Sequence, residues 1–292
     1  MTTNIIELHK DKKGNIPYLT TILKEIPTNT ILCKTLTGLG ATYGEIKAKR
    51  NSIIVEPNVS TIQCKCADPK HANDNLYGVI EKVGVDDIKE YIVNTKDKYY
   101  KFLVTPESFY KVKEAFKELE LSVYNECFML FDESHKLVKD ADYREGIYLP
   151  LDDFFQFKGK ALVSATPVEL SDPRFKDFQK LVIEPQFDFH VNIEIQCTNN
   201  TLERFKQTIN NLQSNCICIF LNSTDTIHAL MEKIGILDES TVFCAPKSVY
   251  KLKQSLNFKN AYSKFDPKLM KKFNFFTSRF NAGMDIELNY KP

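Results

Sequence analysis

The sequence predicts an α/β fold built on parallel sheets, laid out as two successive units. Three observations carry that reading. Short apolar runs bounded by turn residues recur along the chain, stretches of helical spacing separate several of them, and the alternation restarts after Pro185. A short, continuous apolar strand is one buried on both faces, which a parallel sheet between two helical layers provides.

In chain order, Thr30–Lys34, Ser52–Glu56, Lys101–Thr105, Cys127–Phe131 and Lys160–Ser164 read as buried strands. Glu107–Leu121 reads as an amphipathic helix, because Phe109, Val112, Phe116 and Leu119 repeat at three- and four-residue intervals. In the second half, Val191–Gln196, Cys216–Leu221, Thr241–Cys244 and Phe273–Thr277 read as strands, with helices over Leu202–Leu212 and Thr224–Ile234. Glu184-Pro185-Gln186 is the junction, where a strand-like run ends at a proline. The expected domains are residues 1–185 and 186–292.

A length of 292 residues suits one large or two medium domains, and 43% hydrophobic residues exclude disordered and fibrous classes. No uncharged apolar stretch approaches the ~18 residues that span a bilayer, and the N-terminus lacks a signal-peptide layout. A cytoplasmic protein without a membrane partner is the expectation. Net charge is +1, so any nucleic-acid binding must come from local patches. The eight cysteines read as reduced thiols, since Cys33, Cys127, Cys216 and Cys218 lie inside apolar runs. Cys64-Lys65-Cys66 with His71 fits none of the usual zinc spacings.

Four local signals carry chemistry. Leu36-Thr37-Gly38-Leu39-Gly40-Ala41-Thr42 follows a strand and opens a helix, where glycines let backbone N–H groups hold phosphate oxygens. Taken alone, that glycine pair is better explained by a plain tight turn. Phe128–Phe131 runs into Asp132-Glu133-Ser134-His135, an apolar strand ending in adjacent carboxylates. Such a pair suits Mg²⁺ binding and the polarising of water in phosphoryl transfer, or else a solvated acidic turn. Ala161–Ser164 leads into Ala165-Thr166-Pro167, whose hydroxyls can bond the neighbouring carboxylates. The fourth signal is Phe275-Phe276-Thr277-Ser278-Arg279-Phe280-Asn281-Ala282-Gly283-Met284-Asp285.

In joint order and spacing these signals resemble the superfamily 2 helicases, the DEAD/DEAH-box and related nucleic-acid-dependent ATPases. Asp132 to His135 looks like motif II in its D-E-x-H form, and Ser164-Ala165-Thr166 like motif III. Gly38–Thr42 stands in the place of motif I, and Thr277, Gly283 and Asp285 in that of motif V. Ile54-Val55-Glu56-Pro57-Asn58 is similar to motif Ia, Val104-Thr105-Pro106-Glu107-Ser108 to motif Ib, and Cys218–Ser223 to motif IV.

The resemblance implies two RecA-like (P-loop NTPase) domains, the second incomplete, with ATP and Mg²⁺ between them. Lys34, Thr37, Gly38, Leu39, Gly40, Ala41 and Thr42 would meet the nucleotide phosphates, with Thr42 and Asp132 on the metal. Glu133 would activate water. His135 would join Asp132 and Glu133 in the catalytic set, linking the nucleotide and nucleic-acid sites. Ser164, Ala165 and Thr166 would couple nucleotide state to domain motion, and Asp285 would lie near the ribose. Pro57, Asn58, Thr105, Pro106, Thr277 and Gly283 would contact the backbone of single-stranded DNA or RNA.

Two departures stand out. Ala41 replaces the lysine that pairs with the β- and γ-phosphates, and Lys34, at the end of the preceding strand, is its candidate substitute. The sequence stops at Pro292, with no Q-x-x-G-R-x-x-R pattern for motif VI. The expectation is a fragment, a truncated copy, or a divergent member taking its arginine from a partner protein. Lys247 to Lys272 holds eight lysines against Asp266, interleaved with Tyr250, Phe258, Tyr262 and Phe265. That run reads either as a nucleic-acid patch or as a solvated face. The leading functional expectation is an ATP-hydrolysing helicase or translocase. The alternative is a catalytically impaired, helicase-like nucleic-acid-binding or scaffold module.

Overall fold

The computed structural model describes residues 2–95, 98–139, 146, 149–190 and 193–280, apart from the side chains of residues 138 and 139. The chain forms two compact units, Met1–His190 and Val191–Pro292. In the first, strands β1 (Thr2–Leu8), β2 (Thr30–Cys33), β3 (Ser52–Val55), β4 (Leu76–Val79), β5 (Lys101–Val104), β6 (Phe128–Phe131), β7 (Gly159–Ser164) and β8 (Gln179–Pro185) make one sheet. Its order is β1-β8-β2-β7-β6-β3-β5-β4, and every neighbouring pair is parallel.

The period-two alternation of a strand divides each apolar run between two cores. Ile53, Val55, Phe102, Val104, Met129 and Phe131 pack on one face, against Phe109, Val112 and Phe116 of helix Phe109–Glu118. Ile54, Leu103, Phe128 and Leu130 pack on the other, with Ala41 and Ile46 of helix Ala41–Lys47 and Ile62 of helix Val59–Ala67. Strands parallel throughout bring their C-terminal ends to one edge. There Lys34 N–H donates to Ser164 O (2.9 Å), Asp132 N–H to Val55 O (3.1 Å) and Glu56 N–H to Val104 O (2.9 Å). Register alone therefore aligns the residues following β2, β6 and β3.

The other end of helix Ala41–Lys47 is fixed by buried charge. Lys101 Nζ donates to Glu45 O (2.7 Å), Ala48 O (2.9 Å) and Ser52 Oγ (3.0 Å), satisfying carbonyls that a helix terminus leaves open. Arg50 grips the Glu45 carboxylate through Nε and Nη2 (2.9 and 2.5 Å) and lies over the Phe128 ring.

The second unit holds β9 (Ile217–Phe220), β10 (Ser240–Phe243), β11 (Ala261–Tyr262) and β12 (Phe273–Phe276), parallel in the order β11-β10-β12-β9. Helix Thr201–Asn211 is capped by Asn200 Oδ1, which accepts from Glu203 N–H. Helix Thr224–Ile234 starts under Ser223 and ends at Gly235, whose φ of 80° closes it.

Three expectations need correcting. No strand forms over residues 193–196, the described part of the expected Val191–Gln196 strand, and Ile193 and Ile195 are 80% and 84% exposed. Alternation gives a segment an apolar face, but only a neighbouring strand makes it part of a sheet. Gln196 instead accepts from Arg204 Nε and Thr208 Oγ1 of the following helix. The expected helix Glu107–Leu121 is shorter. A 3₁₀ turn covers Pro106–Ser108, and Glu120 at φ 58° ends the helix while Leu121 N–H returns to Phe116 O (2.9 Å). The sequence pattern also gives no signal for strands β1, β4 and β11, while the strand-like run ending at Pro185 is β8.

Burial holds the Lys101 ammonium down to about 8, against partial support from the Glu45 carboxylate. Below pH 8 both folded and unfolded chains carry this proton, and the burial penalty is fully present. Between about 8 and the ordinary lysine value of 10.5 only the unfolded chain keeps it, so stability gains with pH. Urea unfolding of native protein and Lys101→Met at pH 7, 8.5 and 9.5 is expected to show the native chain gaining stability over the variant as pH rises. A constant difference would contradict this.

Candidate active site

Lys34, Thr42, Asp132 and Glu133 meet at the C-terminal edge of the first sheet. Lys34 Nζ lies 3.0 Å from Glu133 Oε1 and 3.4 Å from Asp132 Oδ1, and its side chain is 9% exposed. Thr42 Oγ1 donates to Asp132 Oδ2, and Glu133 N–H donates to Asp132 Oδ1 at 2.9 Å. The helix that follows the glycine turn thus delivers its first hydroxyl to the acidic strand end.

Burial alone would lower the Lys34 pKa, but the charges of Asp132 and Glu133 outweigh it and hold the ammonium above its ordinary value. Burial would likewise raise Asp132. The charges of Lys34 and then Lys65, with hydrogen bonds from Thr42 and the Glu133 amide, keep it below the usual carboxylate range. Beside this pair Glu56 is buried, and its Oε1 lies 2.5 Å from Lys65 Nζ. Burial pushes Glu56 up despite Lys65, and the neighbouring Asp132 charge adds to the rise.

Motif II and motif III candidates are joined by hydrogen bonds. Ser134 N–H donates to Val163 O (2.9 Å), His135 Nδ1 and Ser164 Oγ lie 2.9 Å apart, and Thr166 N–H donates to Ser164 Oγ (3.0 Å). His135 Nδ1 is also 3.3 Å from Glu133 Oε2. The edge therefore carries a path of contacts from Lys34 through Glu133 and His135 to Ser164.

No family model matches this chain, and no curated protein matches it in sequence. Solved structures do match it. An S. cerevisiae dbp5 variant bound to a gle1 variant and IP6 aligns over 94% of this chain and 72% of its own, with a TM-score of 0.56 and 12% identity. A hypothetical ATP-dependent RNA helicase from Sulfolobus tokodaii aligns over 89% and 76% (TM-score 0.38, 13% identity). A DEAD box protein from Methanococcus jannaschii aligns over 89% and 72% (TM-score 0.39, 12% identity). The chain shares the fold of the yeast dbp5 structure.

Within this fold the other anticipated residues lie at several separate places. Thr37, Gly38, Leu39, Gly40 and Ala41 form the turn into helix Ala41–Lys47, with Gly38 and Gly40 at φ 73° and 76°. Pro57 and Pro106 line a small crevice with Asp132 and Glu133; Thr105 is buried and donates to Ser108 Oγ, and Asn58 is half-buried. Ala165 follows β7. Thr277 lies in the second unit, its N–H on Phe243 O. Gly283 and Asp285 lie outside the described residues.

In the lysine run, Lys247, Lys251, Lys253, Lys259, Lys264, Lys268 and Lys272 are exposed. Among the interleaved aromatics only Tyr250 is strongly exposed. Phe258 is buried, Phe265 packs on Phe243, and Tyr262 lies under Lys253. Lysine charge is available there, but an array of stacking faces is not.

Sequence reasoning missed three features. Tyr18 leans on the glycine turn and stacks on Tyr43 (5.8 Å), with Leu19 N–H on Leu39 O. The Glu56–Lys65 pair was missed, although Glu56 at a strand end was a signal. So was left-handed backbone at Thr35 (φ 56°) and Glu133 (φ 49°), the former held by Thr35 Oγ1 donating to Ile183 O at 2.5 Å.

A Cβ at Gly38 would meet open space, whereas one at Gly40 would sit 2.9 Å from the Tyr18 ring. Gly38→Ala is expected to cost about 1–2 kcal/mol from left-handed backbone alone, and Gly40→Ala measurably more. Adding Tyr18→Ala should recover the difference in denaturant unfolding. Equal costs for the two glycines would show that Tyr18 does not press on the turn.

Proposed function

We propose that the chain is a nucleic-acid-dependent ATPase of the helicase or translocase type. The observation that carries this reading is the meeting of Thr42 and Lys34 on the Asp132 carboxylate, with Lys34 also on Glu133. It unites a glycine turn, an acidic strand end and a lysine at one sheet edge. That is the constellation phosphoryl transfer needs: donors for phosphates, oxygens for a metal, and a base for water.

In this reading the turn from Thr37 to Thr42 binds the phosphates of ATP. Thr42 and Asp132 offer hard oxygen donors, which fit Mg²⁺. The metal would neutralise phosphate charge when bound. Glu133 orients the attacking water and accepts its proton, for which its carboxylate must first part from the Lys34 ammonium. Lys34 then supplies the charge that Ala41 lacks. His135, Ser164, Ala165 and Thr166 relay the state of Glu133 along the edge. Pro57, Asn58, Thr105, Pro106, Thr277 and Gly283 would meet single-stranded DNA or RNA, and Asp285 the ribose. The yeast protein of like fold was solved with a protein partner, gle1, and a partner supplying an arginine is part of this proposal.

Ala41 favours a second reading, a non-hydrolysing nucleic-acid-binding or scaffold module. ATP turnover with and without single-stranded nucleic acid separates the two. Under the first reading Glu133→Gln lowers turnover by about 10²–10⁴-fold, and Lys34→Ala removes it with the far-UV circular dichroism unchanged. Nucleotide binding without turnover in the native chain selects the second. Unchanged turnover in Lys34→Ala refutes the substitute-lysine role.

A further inference from the structure

Both carboxylate oxygens of Asp132 are already engaged. Oδ2 takes the Thr42 hydroxyl, and Oδ1 takes the Glu133 amide at 2.9 Å and faces Lys34 Nζ at 3.4 Å. The same ammonium sits 3.0 Å from Glu133 Oε1. The Lys34 and Asp132 side chains are 9% and 5% exposed, so water cannot take over either charge. A divalent ion on these carboxylates needs its oxygens at about 2.0–2.6 Å. It would lie against a like-charged ammonium that already spans both groups.

We infer that Lys34 is the resident counter-ion of the acidic pair, holding the place of the divalent cation until a triphosphate draws it away. This rests on the nucleotide reading proposed above and adds an order of events to it. A buried carboxylate pair without a cation is strongly unfavourable, so the ammonium cannot leave unless another cation arrives. A divalent cation cannot settle while the ammonium stays. A triphosphate resolves the conflict, because it gives the ammonium new oxygens to bond and gives the metal further ligands.

The Lys34 main chain need not move for this exchange. Its N–H stays on Ser164 O (2.9 Å), and the glycine turn begins only a few residues further along the chain. Ala41 matters here too. A lysine at that position would be a second claimant for the phosphates, whereas with alanine the Lys34 side chain is the one beside them. Metal and nucleotide therefore enter together and support each other's binding, and the coupling is reciprocal.

The test is Mn²⁺ binding, followed by electron paramagnetic resonance, on native protein, Lys34→Met and Lys34→Arg. Each is titrated with and without a non-hydrolysable ATP analogue, with thermal melts run in parallel. Native protein and Lys34→Arg are expected to bind Mn²⁺ weakly alone and at least about tenfold more tightly with the analogue. Lys34→Met is expected to bind Mn²⁺ alone at least about tenfold more tightly than native, and Mn²⁺ should raise its melting temperature. Equal Mn²⁺ affinity of native and Lys34→Met without nucleotide would overturn the inference. Should Lys34→Met not fold, the native titration decides: tight Mn²⁺ binding with no analogue present overturns it equally. Failure of the analogue to bind any of the proteins would overturn the nucleotide reading itself, a separate result from the Mn²⁺ comparison.

Discussion

Two carboxylates at the end of a buried strand need a cation, and Lys34 is that cation. Its ammonium bridges Asp132 and Glu133 inside the protein, at the point where β2 and β6 end on either side of β7. Removing one member of a buried pair costs about 3–5 kcal/mol, because the other is left uncompensated. The glycine turn, helix Ala41–Lys47 and the β7 strand end are all arranged around this contact. Thr42 approaches Asp132 from the helix, and Ser164 anchors the Lys34 main chain while its hydroxyl meets His135.

Helix Ala41–Lys47 is short, and its position is fixed at both ends. At its start Thr42 is bonded to Asp132. At its end Lys101, Arg50, Glu45 and Ser52 form a buried network that satisfies terminal carbonyls of the helix. Because β5 carries Lys101 and Asp132 directly follows β6, the helix is referenced to the sheet at two separated points. A rigid placement of Thr42 follows from those two anchors more than from helix propensity, which a segment of this length scarcely expresses.

The interior of the first sheet was legible in the sequence for a physical reason. β2, β3, β5, β6 and β7 are buried on both faces, so each is a near-continuous apolar run. β1 is exposed along most of its length, β4 contains Gly78 at the sheet edge, and in β8 only Leu181, Val182 and Ile183 are apolar, between Lys180 and Glu184. The site was legible where order along the chain encodes it, in Gly38–Thr42, Asp132–His135 and Ser164–Thr166. Lys34 was legible through its place at the strand end, although nothing in the sequence says it spans both carboxylates. Tyr18 over Gly40 was not legible, since no pattern joins residues that meet only through the fold.

Backbone conformation explains why these contacts are local to one corner. Thr35 and Glu133 both adopt left-handed backbone, which disfavours a β-branched residue such as threonine in particular. Each directly follows a residue of the central pair, Lys34 in one case and Asp132 in the other. Turning the chain there stops the strand direction at once, so that Lys34 and Asp132 stay at the edge while the residues after them bend away. Glu133 thereby brings its carboxylate back toward Lys34, and Thr35 secures its own turn with a bond to Ile183 O. Backbone strain of this kind persists only where surrounding contacts over-determine it. Here those contacts are the Glu133–Lys34 ion pair at one turn and the Thr35–Ile183 bond at the other.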